Sequence, residues 1–265
     1  MQYNLGKLPP IQEHIDEALQ FADLVPVTLP PIPNMYDTLG AVYASLGESD
    51  PAVLFPLDGN GPDPAVPTED GYGNCVECMK AHGRTVYAGL VGKRVIPTAP
   101  AVVKQYLAET KGKDSGLNIS NSLDNWIANG SFGEKPTVKV FIDPSNWDHV
   151  RLAAFLFKYL HTGVSCTDDM QTAFRNGQVW TGSGNVLGGH GVGIPSYGLT
   201  VPKLGDNLLP ILTWGGILYA TKDALTQVDE MWIVASQEMI QSASRFCPEF
   251  TGNLLDAMQA IADQR

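Results

Sequence analysis

Gly71-Tyr72-Gly73-Asn74-Cys75 and Gly188-Gly189-His190-Gly191-Val192 are the two stretches on which the reading of this chain turns. The first opens onto Cys75, Cys78, Met79, His82 and Val86, whose three- and four-residue spacing predicts a buried helix beginning at the cysteine. The second runs on as a short apolar stretch bounded by turn residues, which predicts a strand headed by the histidine. A thiol becomes a nucleophile as its anion, and both a helix N-terminus and an adjacent imidazolium stabilise that anion. Gly71 and Gly73 permit a sharp turn before the thiol, while Gly188, Gly189 and Gly191 leave the imidazole accessible. Cys75 and His190 therefore read as a nucleophile and its base, brought together from distant parts of the chain.

Outward from these segments, residues 1–68 read as an arm of helical and extended pieces that could wrap the domain's own surface or a neighbouring subunit. Ile11, Ile15 and Leu19 have helical spacing after Pro9 and Pro10, residues 25–33 are proline-rich and extended, and 35–46 predicts a helix ended by Gly47. Turn residues at 58–64 mark a boundary, so the main domain is assigned to 69–265. Within it, helices are expected at 101–110, 122–128 and 147–160, with a strand at 138–142. Strands then dominate, at 163–166, 189–197, 208–214, 216–220 and 231–235, before a closing helix at 254–261. The order predicts an α+β fold: a helical first half packed against an antiparallel β-sheet second half, with an extended N-terminal arm.

Composition restricts the partners. The 265 residues carry a net charge of −11, which repels nucleic acid and anionic membrane surfaces. No stretch approaches the roughly 20 apolar residues of a membrane span, and the first residues lack the pattern of a secretory signal. Four cysteines make no disulfide framework in a chain this long, and a reducing, cytoplasmic setting is expected.

Other residues admit other readings. Cys75, Cys78 and His82 on one helix face, with His190, could supply zinc ligands, but successive turns of one helix converge poorly, and core packing is preferred for Cys78. Cys75-Val76-Glu77-Cys78 has redox spacing without a thioredoxin-like surrounding. The glycines at 182, 184, 188 and 189 lack the lysine of a phosphate loop. Neither a metal nor a cofactor is expected. His14, His149 and His161 are assigned to helix surfaces or caps, Asp168 and Asp169 to a helix start beside Thr167, and Trp126, Trp147, Trp180 and Trp232 to the core.

Taken in order, Gly73-Asn74-Cys75 with His82, Ser122-Leu123-Asp124-Asn125-Trp126, Ile142-Asp143-Pro144, Gln178-Val179-Trp180, Gly188-Gly189-His190, Thr213-Trp214-Gly215 and Val228-Asp229-Glu230-Met231-Trp232 resemble the papain-like cysteine peptidase fold, in particular a divergent bacteriophage and prophage branch. Gly6-Lys7-Leu8-Pro9-Pro10 has counterparts there too. The resemblance implies Cys75 as nucleophile, with its backbone N–H in an oxyanion hole, and His190 as base and then acid. It implies Trp214 as a shield against water.

Two supporting positions depart from that pattern. Glu69 stands where an amide donor to the oxyanion is expected, so either Glu69 is protonated, another donor such as Asn74 substitutes, or the hole is defective; Leu212 stands where the imidazole's orienting residue is expected. Thr213 is one residue away, on the opposite face of a regular strand. Two functions follow: a cysteine-dependent peptide or amide hydrolase, or a catalytically silent scaffold in a phage particle. Its partners would be a protein or peptide, particle components, or a second copy held through the arm, in a bacterial cytoplasm or a virion.

Overall fold

The computed structural model describes residues 5–57 and 71–263; Glu69 lies outside the described residues. Short helices α1 (Gln12–Asp16), α2 (Phe21–Leu24), α3 (Thr38–Leu46) and α4 (Pro51–Leu54) occupy the first segment. Asp37 caps α3 by accepting from the Gly40 N–H, and Gly47 ends it in the left-handed conformation. Phe21 and Leu24 are buried in one hydrophobic cluster, and Leu39, Val42, Leu54 and Phe55 in a second.

Helix α5 (Cys75–Leu90) is the axis of the helical half, with 13 of its 16 residues buried, so it lacks an outward polar face. Its buried charges are matched internally: Lys80 Nζ lies 2.5 Å from Glu77 and 2.9 Å from Glu109, and donates to Ser122 Oγ at 2.8 Å. Helices α6 (Ala99–Glu109) and α7 (Ile119–Asn129) flank it, capped by Thr98 and Asn118.

Strand β1 (Val138–Phe141) leads to α8 (Trp147–Phe157), capped by Asn146. Then follow β2 (Leu160–Thr167), α9 (Asp168–Asn176), β3 (Val179–Trp180), β4 (Val186–Ile194), β5 (Leu199–Val201), β6 (Gly205–Thr213), β7 (Gly216–Ala220) and β8 (Val228–Ala235). Helices α10 (Gln237–Ala243) and α11 (Pro248–Asp263) complete the described chain. The sheet order is β1-β8-β2-β4-β6-β7-β3, with β5 beside β6. All its pairings are antiparallel except the short β3–β7 ladder.

The sheet is covered on both faces, as alternation along β8 makes plain: Met231 and Ile233 join the first cluster, Trp232 and Val234 the second. The expected α+β architecture is present. Trp126, Trp180 and Trp232 are fully buried, whereas Trp147 is partly buried against the core.

One assignment is corrected. His161 is not on a helix surface: α8 stops where Lys158 turns left-handed (φ 66°), and β2 starts at Leu160. Strand geometry then directs His161 into the core, edge-on to the rings of Trp126 and Tyr159. Burial lowers its pKa to about 3.

Candidate active site

Cys75 is the first residue of α5, and β4 crosses directly beside it. Gly191 makes that approach possible, because a Cβ there would lie 3.2 Å from Val76 Cα and 3.3 Å from the Cys75 carbonyl. At this closeness the Gly191 N–H donates to Cys75 Sγ at 3.3 Å. The preceding turn is fixed by Gly71 in the left-handed region (φ 63°) and by Gly73, whose N–H donates to Asp114 Oδ1 at 3.0 Å. Tyr106 Oη also donates to Asp114 Oδ1, at 2.5 Å, and accepts from the Gly116 N–H at 2.9 Å, tying the turn to the loop before α7.

The His190 ring is held on an edge and a face. Nε2 lies 2.7 Å from Thr213 Oγ1, and the ring stacks on Trp214 with centroids 4.7 Å apart and planes 16° from parallel. Nδ1 has no hydrogen-bond partner. Thr213 reaches the ring because it is the last residue of β6; the chain then turns left-handed at Trp214 (φ 46°) and Gly215 (φ 71°). Regular alternation ends there, so consecutive residues address one imidazole from different sides. Leu212, at the position expected to orient the ring, packs in the second hydrophobic cluster.

Cys75 and His190 are each only 1% exposed, and both are held neutral. Burial raises the thiol's pKa, opposed by the N–H groups of Gly191 and Gly6, the charge of Lys7 and the N–H of Val76. Burial likewise lowers His190 to about 3. Cys75, Cys78, Met79, His82, His190 and Trp214 border a void of about 10 Å³, at the lower limit for a single water. Cys78 and His82 thus share one enclosure with Cys75 and His190, yet among the described residues no group of three or more His, Cys, Asp or Glu side chains could hold a metal ion. Asn74 Oδ1 accepts from Cys78 Sγ at 3.7 Å.

The cleft is closed by the chain's own residues 5–8, which run between its two walls. The Lys7 N–H donates to Gly189 O (3.2 Å), beside His190; the Leu8 N–H donates to Leu117 O (2.9 Å), and the Leu117 N–H to Gly6 O (2.8 Å). The fit over the turn is so close that a Cβ on Gly6 would stand 1.6 Å from Gly73 O. The arm does lie along the domain's own surface here, but its seat at Gly6-Lys7-Leu8 is not written in the sequence, because these bonds are backbone to backbone and leave no side-chain pattern.

Two solved structures share this architecture. One is xylellain, a cysteine protease from Xylella fastidiosa, at 14% identity and TM-score 0.57, covering 88% of this chain and 96% of that one. The other is proCathepsin B S9 from Trypanosoma congolense, at 9% identity and TM-score 0.54, covering 89% of this chain and 84% of that one. The fold is that of papain-like cysteine proteases. No family model and no curated protein matches the sequence.

Proposed function

We propose that this chain is a cysteine-dependent hydrolase of peptide or amide bonds, with Cys75 as nucleophile and His190 as its base. The observation that carries the reading is the posture of His190: anchored through Nε2 by Thr213, stacked on Trp214, and with Nδ1 left without a partner. A base in a triad needs one nitrogen oriented and the other available.

In the reaction, Cys75 Sγ bonds to the carbonyl carbon as its proton passes to His190, and the carbonyl oxygen becomes an oxyanion. The N–H of Cys75 at the start of α5 is suited to receive that charge. Collapse breaks the C–N bond, with the proton moving from His190 to the leaving amine, and leaves a thioester. Water, deprotonated by His190, then attacks the thioester carbonyl; the acid leaves, and the proton returns to the thiol.

The neutral, buried state of both groups accompanies a filled cleft. Water and substrate in an opened cleft would lift the desolvation that raises the thiol's pKa and lowers the imidazole's. The same filled cleft favours a second reading, a silent scaffold within a phage particle, for which the sequence resemblance supplies the setting.

Alkylation of Cys75 by iodoacetamide across pH separates the two. The hydrolase reading requires labelling well below a free thiol's pKa of about 8.5. His190→Ala should slow it by about 100-fold or more, and Thr213→Val by about fivefold, the worth of roughly 1 kcal/mol of hydrogen bond. A rate indifferent to His190 would leave the scaffold.

A further inference from the structure

Four of the described lysines are buried or half-buried, and three of them meet carboxylates. Lys7 Nζ, beside the bulge between β2 and β8, lies 2.8 Å from Asp229 Oδ2 and 3.4 Å from Glu230 Oε1. Lys80 meets Glu77 and Glu109, and Lys139 meets Asp124 at 2.6 Å. Lys158 is the exception, for among the described residues no acid pairs with it. Aromatic rings surround it instead: Nζ lies 4.1 Å from the ring centre of Tyr36, 4.7 Å from that of Phe155 and 5.8 Å from that of Phe246.

The cage is assembled from three distant parts of the chain. Tyr36, from the N-terminal arm, is fixed by backbone hydrogen bonds to and from Tyr197 at 3.0 and 3.1 Å. Phe155, in the last turn of α8, stands edge-on to Tyr36 and to Phe246, with centroids 5.0 and 5.2 Å apart. Phe246 lies between α10 and α11 and is 52% exposed, so the cage is open to solvent on that side. Lys158 itself caps α8 in the left-handed conformation, a place that ordinarily takes glycine. A lysine held there at a backbone cost folds back over the helix end into the rings.

The hydrogen bonds suit a neutral amine. Nζ donates to Tyr36 Oη at 2.6 Å and to the Phe155 carbonyl, two acceptors for two N–H groups, whereas an ammonium has three to place. The lone pair is then uncommitted. Burial lowers the pKa of Lys158 to about 8 and raises that of Tyr36, which keeps the phenol a proton donor. The other titratable groups around the cage are Tyr197, stacked on Tyr36, and Arg151, which acts on Tyr197 and is paired with Asp148.

We propose that Lys158, in the Tyr36–Phe155–Phe246 cage, is a nucleophilic amine site that captures small aliphatic aldehydes as an imine. Nζ adds to the carbonyl carbon while one of its protons passes to the oxygen, giving a carbinolamine. The hydroxyl then leaves as water, taking a proton from Tyr36 Oη as C=N forms, and the phenol regains its proton from nitrogen. The rings receive the protonated imine, a weakly hydrated cation, and Phe246 offers apolar contact to the alkyl chain. None of these residues borders the Cys75–His190 void, so the site stands whatever that pair does.

Reductive trapping tests it. The full chain is treated with propanal and sodium cyanoborohydride at pH 7.5, and propylation of each lysine is followed by peptide mass spectrometry. Lys158 should be modified at least about tenfold faster than the exposed Lys93, Lys111, Lys113 and Lys203, whose amines are almost wholly protonated at that pH. The advantage should shrink towards pH 10. Tyr36→Phe, which keeps the ring and removes the hydroxyl, should slow Lys158 by about tenfold or more and leave the other lysines unchanged. Should that variant not fold, Phe246→Ala, at the most exposed ring, should move the pH dependence of Lys158 towards that of the exposed lysines. Lys158 reacting no faster than those lysines at pH 7.5 overturns the site, as does a rate indifferent to both substitutions.

Discussion

Gly6→Ala should open the cleft while leaving the domain folded. A Cβ at that position meets three backbone atoms of Gly73 at 1.6, 2.1 and 2.4 Å, and backbone cannot swing aside as a flexible side chain can. The seated state would forfeit the Lys7–Gly189, Leu8–Leu117 and Leu117–Gly6 hydrogen bonds. At about 0.5–1.5 kcal/mol each, these are worth roughly 3 kcal/mol together, before the Lys7 ion pair is considered. Local opening would then be easier by about 100-fold or more.

The chain carries its own controls for the assay, because Cys75, Cys78, Cys166 and Cys247 are all buried thiols outside any disulfide. Alkylation of the native protein, resolved by site with peptide mass spectrometry, should show Cys75 accelerated by roughly two orders of magnitude, with Cys166 and Cys247 as slow as before. The reasoning is refuted if Cys75 reacts at its original rate. It is equally refuted if all four thiols accelerate together, since that reports loss of the whole fold rather than release of one segment.

Lys80→Met should destabilise the protein by about 3–5 kcal/mol, because it strands the fully buried Glu77 carboxylate; a urea midpoint at neutral pH checks this, and Lys80→Met with Glu77→Leu should recover most of the loss. Stability should also fall on mild acidification. His82, His161 and His190 are lowered by burial from 6.5 to about 4, 3 and 3, so the unfolded chain takes up protons first, and stability present above 6.5 drains away as pH drops. Glu77, raised by burial from 4.5 to about 7, runs the other way, favouring the fold as pH drops through that interval, as do Glu134 and Glu230, which burial also raises; His149, lowered by burial, adds to the loss, and the three large imidazole shifts outweigh the carboxyl groups. Urea midpoints that stay level or rise between about pH 6.5 and 4.5 would contradict this balance.

The helix at Cys75 and the strand at His190 were legible because each combines a strong period with turn glycines, and the order of motifs between them carried the fold. Thr213 was harder. Strict alternation excludes it as a partner for His190, and only the left-handed turn at Trp214, a residue type that seldom adopts φ 46°, removes the objection. His161 was misassigned by letting α8 run too far, since nothing in Phe157-Lys158-Tyr159 announces a left-handed stop at a lysine. The seat of residues 5–8 and the pairing of Lys7 with Glu230 were out of reach for a different reason. Both depend on a register and a bulge between strands far apart in sequence, and a single lysine after a glycine looks like any exposed surface pair.

Lys7 Nζ pairs with Asp229, 222 residues further along the chain, and with Glu230 beside it. During synthesis at about 5–20 residues per second, roughly 10–45 s separate the emergence of the lysine from that of its carboxylates. Throughout that interval residues 5–8 have only part of their seat, and Cys75 emerges long before β8 can complete it. Full closure of the cleft is therefore a late event in the life of the nascent chain, and a product truncated ahead of β8 would hold residues 5–8 by their backbone bonds alone, without the Lys7 ion pair.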